Sequence, residues 1–431
     1  MSTVQRNMSL TGEPPKTINT QQKLASAIGL IGLTVLFLAL VNVNFPNKSF
    51  WLTASLVMIG VGTIWFSTAA YLNKHEGIKN DGVYFKSLSS KGFWAWVLGI
   101  ALTLFYVLLY WFPQYLGLVK DGDNKGLVAL FDPLSKMLNG GPASQWFVYG
   151  TLYTLAILAF GIKFILKYRH NKYEKLRTYS VMFFQLAFAF LIPEFMQRLN
   201  SNSFSLPYYD LKNIWPLNYY NFEQYRVDQF ISAGDIGLAL LIFGIVSIFV
   251  ITPILTYKYG KRWYCSWVCG CGGLAETAGD PFRHLSDKRQ IAWKVERWVI
   301  HSVLVFVVLM TTAVVHSYLG DDSSKYWLTK DAFLISVAII LTVVFVGTFI
   351  FKREELQKDA RYGAIGYFVI IISLIGFHYF SGKTLFLFEA ETLRQTYGFL
   401  IGAVFSGVIG VGFYPIFGSR VWCRFGCPMA A

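Results

Sequence analysis

Long apolar blocks alternate with shorter polar connections along most of this chain. Each block holds about twenty residues, the length that a helix needs to cross a hydrocarbon core of about 30 Å. A helix also satisfies its backbone hydrogen bonds within the segment, as lipid requires. The pattern therefore predicts an all-α, polytopic membrane helix bundle with about ten transmembrane helices. The predicted spans are about 24–44, 50–72, 93–116, 146–166, 178–197, 234–256, 298–319, 332–351, 362–380 and 398–416.

The connections between these spans carry unequal charge. Those on the side that holds both termini contain 26 Lys and Arg residues, against 11 on the other side, while each side has 11 acidic residues. Cytoplasmic loops of membrane proteins collect Lys and Arg. Both termini are therefore expected in the cytoplasm. The same rule explains the formal net charge of +14, so a nucleic-acid partner is not expected.

The chain is predicted to have three parts. Residues 1–23 are polar and contain Pro14 and Pro15, which favours a disordered cytoplasmic tail. Residues 24–233 form an N-terminal five-helix membrane region with outer loops. Residues 234–431 form a C-terminal five-helix region, which contains all the cysteines.

Four of the five cysteines belong to one repeated pattern, G-x-R-x-aromatic-C-x-x-x-C. The first copy lies within YGKRWYCSWVCGCGG and the second within FGSRVWCRFGCPMAA. Both copies fall on the predicted cytoplasmic side, where thiols stay reduced, so metal binding or redox chemistry is favoured over a disulfide. Two pairs supply the four thiolates used by iron–sulfur clusters and by structural zinc. The alternative is a set of buried, inert thiols. The repeated cysteines are Cys265, Cys269, Cys423 and Cys427.

Two features of the repeat refine the prediction. Each pair has i,i+4 spacing, which places both sulfurs on one side of a helical turn. Arg262 and Arg420 precede the first cysteine of each copy by three residues, where a guanidinium lowers a thiol pKa and offsets negative charge; the alternative role is to anchor a helix end. Cys271, outside the repeat, is a fifth ligand, a spare redox thiol or a bystander.

Two histidines form a second candidate site. His316 and His378 lie near the outer ends of the seventh and ninth spans, hence at similar depth. Paired histidines on facing helices can ligate haem b, and ionisable residues in a membrane are functional candidates. The alternative is that both are hydrated at the membrane interface.

The cysteine segments resemble those of a known family. RWYCSWVCG and RVWCRFGCP are similar to the paired motifs of NosR/NapH-type membrane polyferredoxins, which have CcoG-like cupric reductases as relatives. The resemblance implies a multi-pass protein of the bacterial inner membrane with [4Fe-4S] binding at cytoplasmic cysteines. It also implies electron transfer between a quinone pool or soluble donor and a partner redox enzyme.

The chain departs from that family in two respects. Pro428 follows Cys427 as in the family, but Gly270 stands where the first motif has proline. The chain also has no C-x-x-C-x-x-C ferredoxin run, so a ferredoxin-like domain is expected beyond Ala431 or on a separate subunit.

The leading hypothesis is therefore an electron-transfer subunit of an oxidoreductase system rather than a stand-alone enzyme. A second hypothesis is a membrane protein that handles or reduces metal, because soft thiolates also bind copper and zinc. A third is a structural scaffold with inert cysteines.

Overall fold

The computed structural model describes residues 18–72, 90–200, 205–260, 262–320, 327–382 and 389–430. Over these ranges the chain is helical and contains no strand, as predicted. Ten of the described helices are long and apolar enough to cross a membrane. They are α1 (Thr20–Leu40), α2 (Lys48–Tyr71), α3 (Phe93–Trp111), α4 (Gln145–Lys167), α5 (Lys172–Arg198), α6 (Gly234–Tyr259), α7 (Gln290–Tyr318), α8 (Lys330–Phe351), α9 (Lys358–Ser381) and α10 (Ala390–Gly412).

The number of spans is confirmed, while several ends differ from prediction. Helices α7 and α10 begin eight residues earlier than the apolar pattern indicated, at Gln290 and Ala390. Their first turns are polar, and polar residues do not interrupt a helix, so hydropathy marks only the apolar part. Most of the predicted tail, residues 1–17, lies outside the described residues.

Helix α5 continues through Pro193. Residues Phe184–Leu191 form π-helical turns, and an α-helical segment restarts at Ile192. Pro193 therefore stands in the first turn of that segment, where its missing N–H and fixed φ are tolerated. Wide π turns inside α-helices are frequent at functional sites.

The chain divides into two compact units that are not sequential halves. Unit 1 comprises residues 1–214, 247–288 and 405–423, and unit 2 comprises residues 215–246, 289–404 and 424–431. The membrane regions 24–233 and 234–431 expected from sequence stay a prediction. Unit 1 contains α1 to α5 and four of the five cysteines.

Unit 1 combines a packed interior with an apolar surface. Its buried core includes Leu109, Val128, Phe131 and Ile157. Helices α1 and α2 approach closely at Gly62, where a Cβ would lie 2.7 Å from backbone atoms of α1; small residues allow such contacts between membrane helices. Large apolar side chains such as Leu30, Phe37, Phe50 and Val57 remain at the surface of the same two helices, as expected where lipid is the solvent.

Candidate metal centre

The first cysteine segment enters the helix bundle of unit 1. After α6 ends at Tyr259, two short helices, Trp263–Trp267 and Gly270–Glu276, run alongside α4 and α5. Irregular backbone at membrane depth is tolerated where protein surrounds it. The neighbours show that the segment starts near the middle of α5 and runs back toward its Lys172 end. These are Gly270 beside Gln185, Gly273 beside Val181, Glu276 bonded to Arg177, and Asp280 bonded to Lys167.

The glycine of each motif copy has the same backbone conformation. Gly260 has φ 88° and ψ 161°, and Gly418 has φ 90° and ψ 164°. This region is essentially restricted to glycine. Each glycine ends a helix, so it turns the chain from the helix into the cysteine segment. The repeated glycine thus has a physical reason that the sequence alone did not give.

These two glycines give a matched prediction. A Cβ on Gly418 would lie 2.4 Å from Ser286 Oγ and 2.7 Å from Ser286 N, whereas a Cβ on Gly260 would meet nothing within 4 Å. Gly260→Ala should lower the free energy of unfolding by the backbone strain alone, about 1–3 kcal/mol. Gly418→Ala adds overpacking of about 1–3 kcal/mol. Thermal unfolding in detergent should therefore show the lower Tm for Gly418→Ala; equal Tm values would contradict the packing at Ser286.

The thiols pair differently from the i,i+4 prediction. The first short helix ends at Trp267, and Cys269 has an extended backbone with φ −68° and ψ 127°. Cys265 and Cys269 are therefore not on one helical turn. Instead Cys269 is hydrogen-bonded to Cys271, and Cys265 is hydrogen-bonded to Cys423 of the second copy. The structure thus brings together, in unit 1, thiols from both copies of the motif and the additional cysteine.

Hydrogen bonds between these cysteines shift the pKa values of their thiols. The pKa of Cys269 is lowered to about 6, because the Cys271 thiol hydrogen-bonds to it and Lys212 adds a favourable positive charge. The same hydrogen bond, with burial, raises the pKa of Cys271. The pKa of Cys423 is raised by its hydrogen bond to Cys265 and by burial, which outweigh the lowering by Arg420 that the sequence predicted.

Cys269 thus forms a thiolate readily. Cys265, Cys269 and Cys423 are all buried.

Residues 241–289 match a family model described as a 4Fe-4S binding domain. The matched stretch contains the first motif copy and Cys271. No curated protein and no solved structure matches the chain. The match supports iron–sulfur binding, and buried soft thiols are the donor set that such clusters use.

Cluster binding would require the thiols to move. Within the described ranges, no group of three or more His, Cys, Asp and Glu side chains is already arranged to hold a metal ion. In this structure the thiols are hydrogen-bonded in pairs, Cys269 with Cys271 and Cys265 with Cys423. Three buried thiols and one half-buried thiol are the soft donors that an iron–sulfur cluster uses, so the donor set fits such a cluster in its chemistry.

Glycines allow the backbone around the thiols to pack closely. A Cβ on Gly272 would lie 1.8 Å from the carbonyl oxygen of Cys265, and a Cβ on Gly273 would lie 2.1 Å from Val181 Cγ1. The run GCGG, which the sequence interpretation treated only as part of the motif, therefore fixes the distance between the two short helices and between this segment and α5.

Arg420 pairs with a carboxylate that sequence reasoning missed. Glu276 is buried and accepts from Arg420 and from Arg177, the latter at 3.1 Å, and Arg283 lies 3.4 Å away. Glu276 lies on the helix Gly270–Glu276, so it ties the second cysteine segment to the first. In the sequence, Glu276 stands out only as one acidic residue among several basic ones.

Asp280 is a second buried carboxylate at the end of the first cysteine segment. Asp280 is buried, accepts from Lys167 at 2.6 Å, and accepts from the Tyr168 hydroxyl at 3.2 Å. It therefore fastens the end of the cysteine segment to the end of α4.

Cys427 belongs to unit 2, where it is 1% exposed. Arg424, in the same short stretch, donates to Glu296 at 2.8 Å. Residues 424–430 thus pack within unit 2. The role of Cys427 as a ligand stays a prediction.

His316 and His378 do lie together in unit 2. Their rings are in edge-to-face contact with centroids 4.8 Å apart. Haem ligation by this pair stays a prediction; the two imidazoles would hold the iron, which would supply one-electron chemistry.

Proposed function

We propose that this protein is a membrane electron-transfer protein that binds a [4Fe-4S] cluster through Cys265, Cys269 and Cys423, with a fourth thiolate from Cys427 or Cys271. The observation that carries the proposal is the convergence of thiols from both motif copies in unit 1. The family match over the first copy gives independent support.

The fourth ligand follows from two different arguments. The repeat predicts Cys427, because it occupies the position that Cys269 has in the first copy. Proximity favours Cys271, because it is hydrogen-bonded to Cys269 and its charge interacts with that of Cys423. Single serine variants of Cys271 and Cys427 distinguish the two.

When bound, a [4Fe-4S] cluster supplies one-electron storage at this position. The residues of the chain would hold its thiolate ligands in a buried place and exclude water from it. Electrons are proposed to pass between a quinone pool or a soluble donor and a partner redox enzyme, by way of a ferredoxin-like domain or subunit. The cysteine segments are proposed to face the cytoplasm of a bacterial cell, because their side of the membrane is the basic one.

The test is metal content across a set of variants purified without oxygen. Cys265→Ser with Cys423→Ser should lose more than about 90% of the iron and acid-labile sulfide, because hydroxyls are poor ligands for these clusters. Ser266→Ala, between the two cysteines of the first copy, is the matched control and should keep the wild-type content. Full iron and sulfide in the double variant would contradict the proposal.

The same samples address the copper or zinc alternative. Stoichiometric copper or zinc without sulfide in the wild-type protein, lost in the double variant, would establish a thiolate metal site of another kind. Full function of the double variant in cells, with no metal in either protein, would leave the scaffold hypothesis.

A further inference from the structure

The side chain of Lys212 approaches the clustered cysteines of unit 1 from the other end of the helices. It lies in the segment that follows α5, beyond the Arg198 end, whereas Glu276 and Asp280 lie toward the Lys172 end. Residues Leu206, Tyr209 and Ile214 of this segment are buried, so the segment enters unit 1 rather than covering it.

The side chain of Lys212 ends at the cysteine segment. Its Nζ donates to Gln185 Oε1 at 2.7 Å, and a Cβ on Gly270 would lie 2.8 Å from Nζ and 2.5 Å from Gln185 Oε1. Gly270 separates Cys269 from Cys271, so the ammonium lies beside the backbone that joins these two cysteines. Any larger residue at 270 would displace the ammonium.

The segment holds Lys212 in place through its backbone. The Tyr264 hydroxyl, next to Cys265, donates to the Lys212 carbonyl, and the Asp210 carboxylate accepts from the Lys212 N–H at 2.9 Å. Asp210 also accepts from the amide of Asn213 at 2.6 Å. This is a built position rather than a flexible lysine that reaches the site by chance.

The ammonium of Lys212 is buried and donates to a neutral partner. The residue is 6% exposed, and its Nζ bonds to the amide oxygen of Gln185. The buried Asp210 carboxylate of the same segment interacts electrostatically with it. Burying a charge is costly unless it is paired, so an anionic group at the thiols would add a second opposite charge next to the ammonium.

A second polar atom faces the same place. The Tyr153 hydroxyl on α4 is buried and has no hydrogen-bond partner among the described residues. The Tyr153 ring is adjacent, since its Cε1 atom would lie 3.0 Å from a Cβ on Gly270. Hydrogen-bond donors near cluster sulfurs raise the reduction potential.

We propose that Lys212 is the charge-compensating residue of the metal centre and raises the reduction potential of the bound cluster, with the Tyr153 hydroxyl as an additional donor. The proposal rests on the proposed iron–sulfur function. Reduction adds one negative charge to the cluster, and a nearby fixed cation stabilises the reduced form more than the oxidised form. Lys212 is thus a positioning and tuning residue rather than a ligand.

The experiment is a redox titration of the purified, cluster-containing protein followed by electron paramagnetic resonance. Lys212→Met keeps the length of the side chain and removes the charge. At the wild-type midpoint, the ratio of reduced to oxidised cluster should fall on the order of tenfold or more, and tenfold corresponds to about 59 mV for a one-electron couple. Tyr153→Phe should lower the ratio by a smaller factor. Lys120→Met, an exposed lysine in another connection, is the matched control and should leave the ratio unchanged.

Each outcome decides the inference. An unchanged ratio in Lys212→Met, with iron and sulfide as in wild type, would overturn it and leave the proposed function standing. If Lys212→Met holds no cluster, the iron contents of Lys212→Arg and Lys212→Gln decide. Iron kept in Lys212→Arg and lost in Lys212→Gln would support charge compensation. Iron lost in both variants would overturn it. Wild-type protein without iron and sulfide would remove the proposed function and this inference together.

Discussion

Gly272→Ala should abolish cluster binding. The new Cβ would lie 1.8 Å from the carbonyl oxygen of Cys265 and 2.8 Å from its carbonyl carbon. Both atoms are backbone, so no side chain can turn away, and the short helix carrying Cys271 must shift relative to Cys265. We expect a loss of more than about 3 kcal/mol in the free energy of unfolding, the upper range for overpacking. Iron content and Tm in detergent measure the two effects.

Gly347→Ala is the control for this substitution. Gly347 lies within α8, and a Cβ there would meet nothing within 4 Å. Replacing glycine by alanine inside an exposed helix is neutral or stabilises it by up to about 1 kcal/mol. Wild-type iron content in Gly272→Ala, with an unchanged Tm, would show that the two short helices do not pack as described.

Glu276→Gln should destabilise unit 1 and release the second cysteine segment. The change leaves Arg177 and Arg420 beside a neutral amide, and removing one partner of a buried ion pair costs about 3–5 kcal/mol. Because Arg420 precedes Cys423 by three residues, its release should also raise the rate at which Cys423 reacts with a thiol reagent in the cluster-free protein.

Glu355→Gln gives the matched comparison. Glu355 pairs with Lys352 at 2.7 Å, but both side chains are more than half exposed. Exposed pairs contribute about 0–1 kcal/mol, so the Tm should change little. A Tm for Glu276→Gln equal to that of Glu355→Gln would contradict the buried network.

The arrangement of helices was largely predictable from sequence. Apolar blocks long enough to cross lipid identified the ten long helices found among the described residues, because a membrane leaves the chain few alternatives to a helix. The ends were less accurate, since α7 and α10 extend into polar residues that hydropathy does not mark. The division into units was not predictable, because packing joins residues distant in sequence.

The site was predictable only in its residue types. The repeat identified the cysteines, since repeated thiols with the same neighbours are rarely incidental. It did not show that Cys269 contacts Cys271, because this depends on a break in the helix after Trp267. Lys212 and Glu276 gave no local pattern at all. Their significance is burial next to a charge of opposite sign, a property of the folded chain.

The most direct test of the central claim is the composition and spectrum of wild-type protein purified without oxygen. We expect iron and acid-labile sulfide in equal amounts, about four of each per chain, and an electron paramagnetic resonance signal that appears on one-electron reduction. Protein that contains no sulfide, or that holds zinc or copper in place of iron, would contradict it.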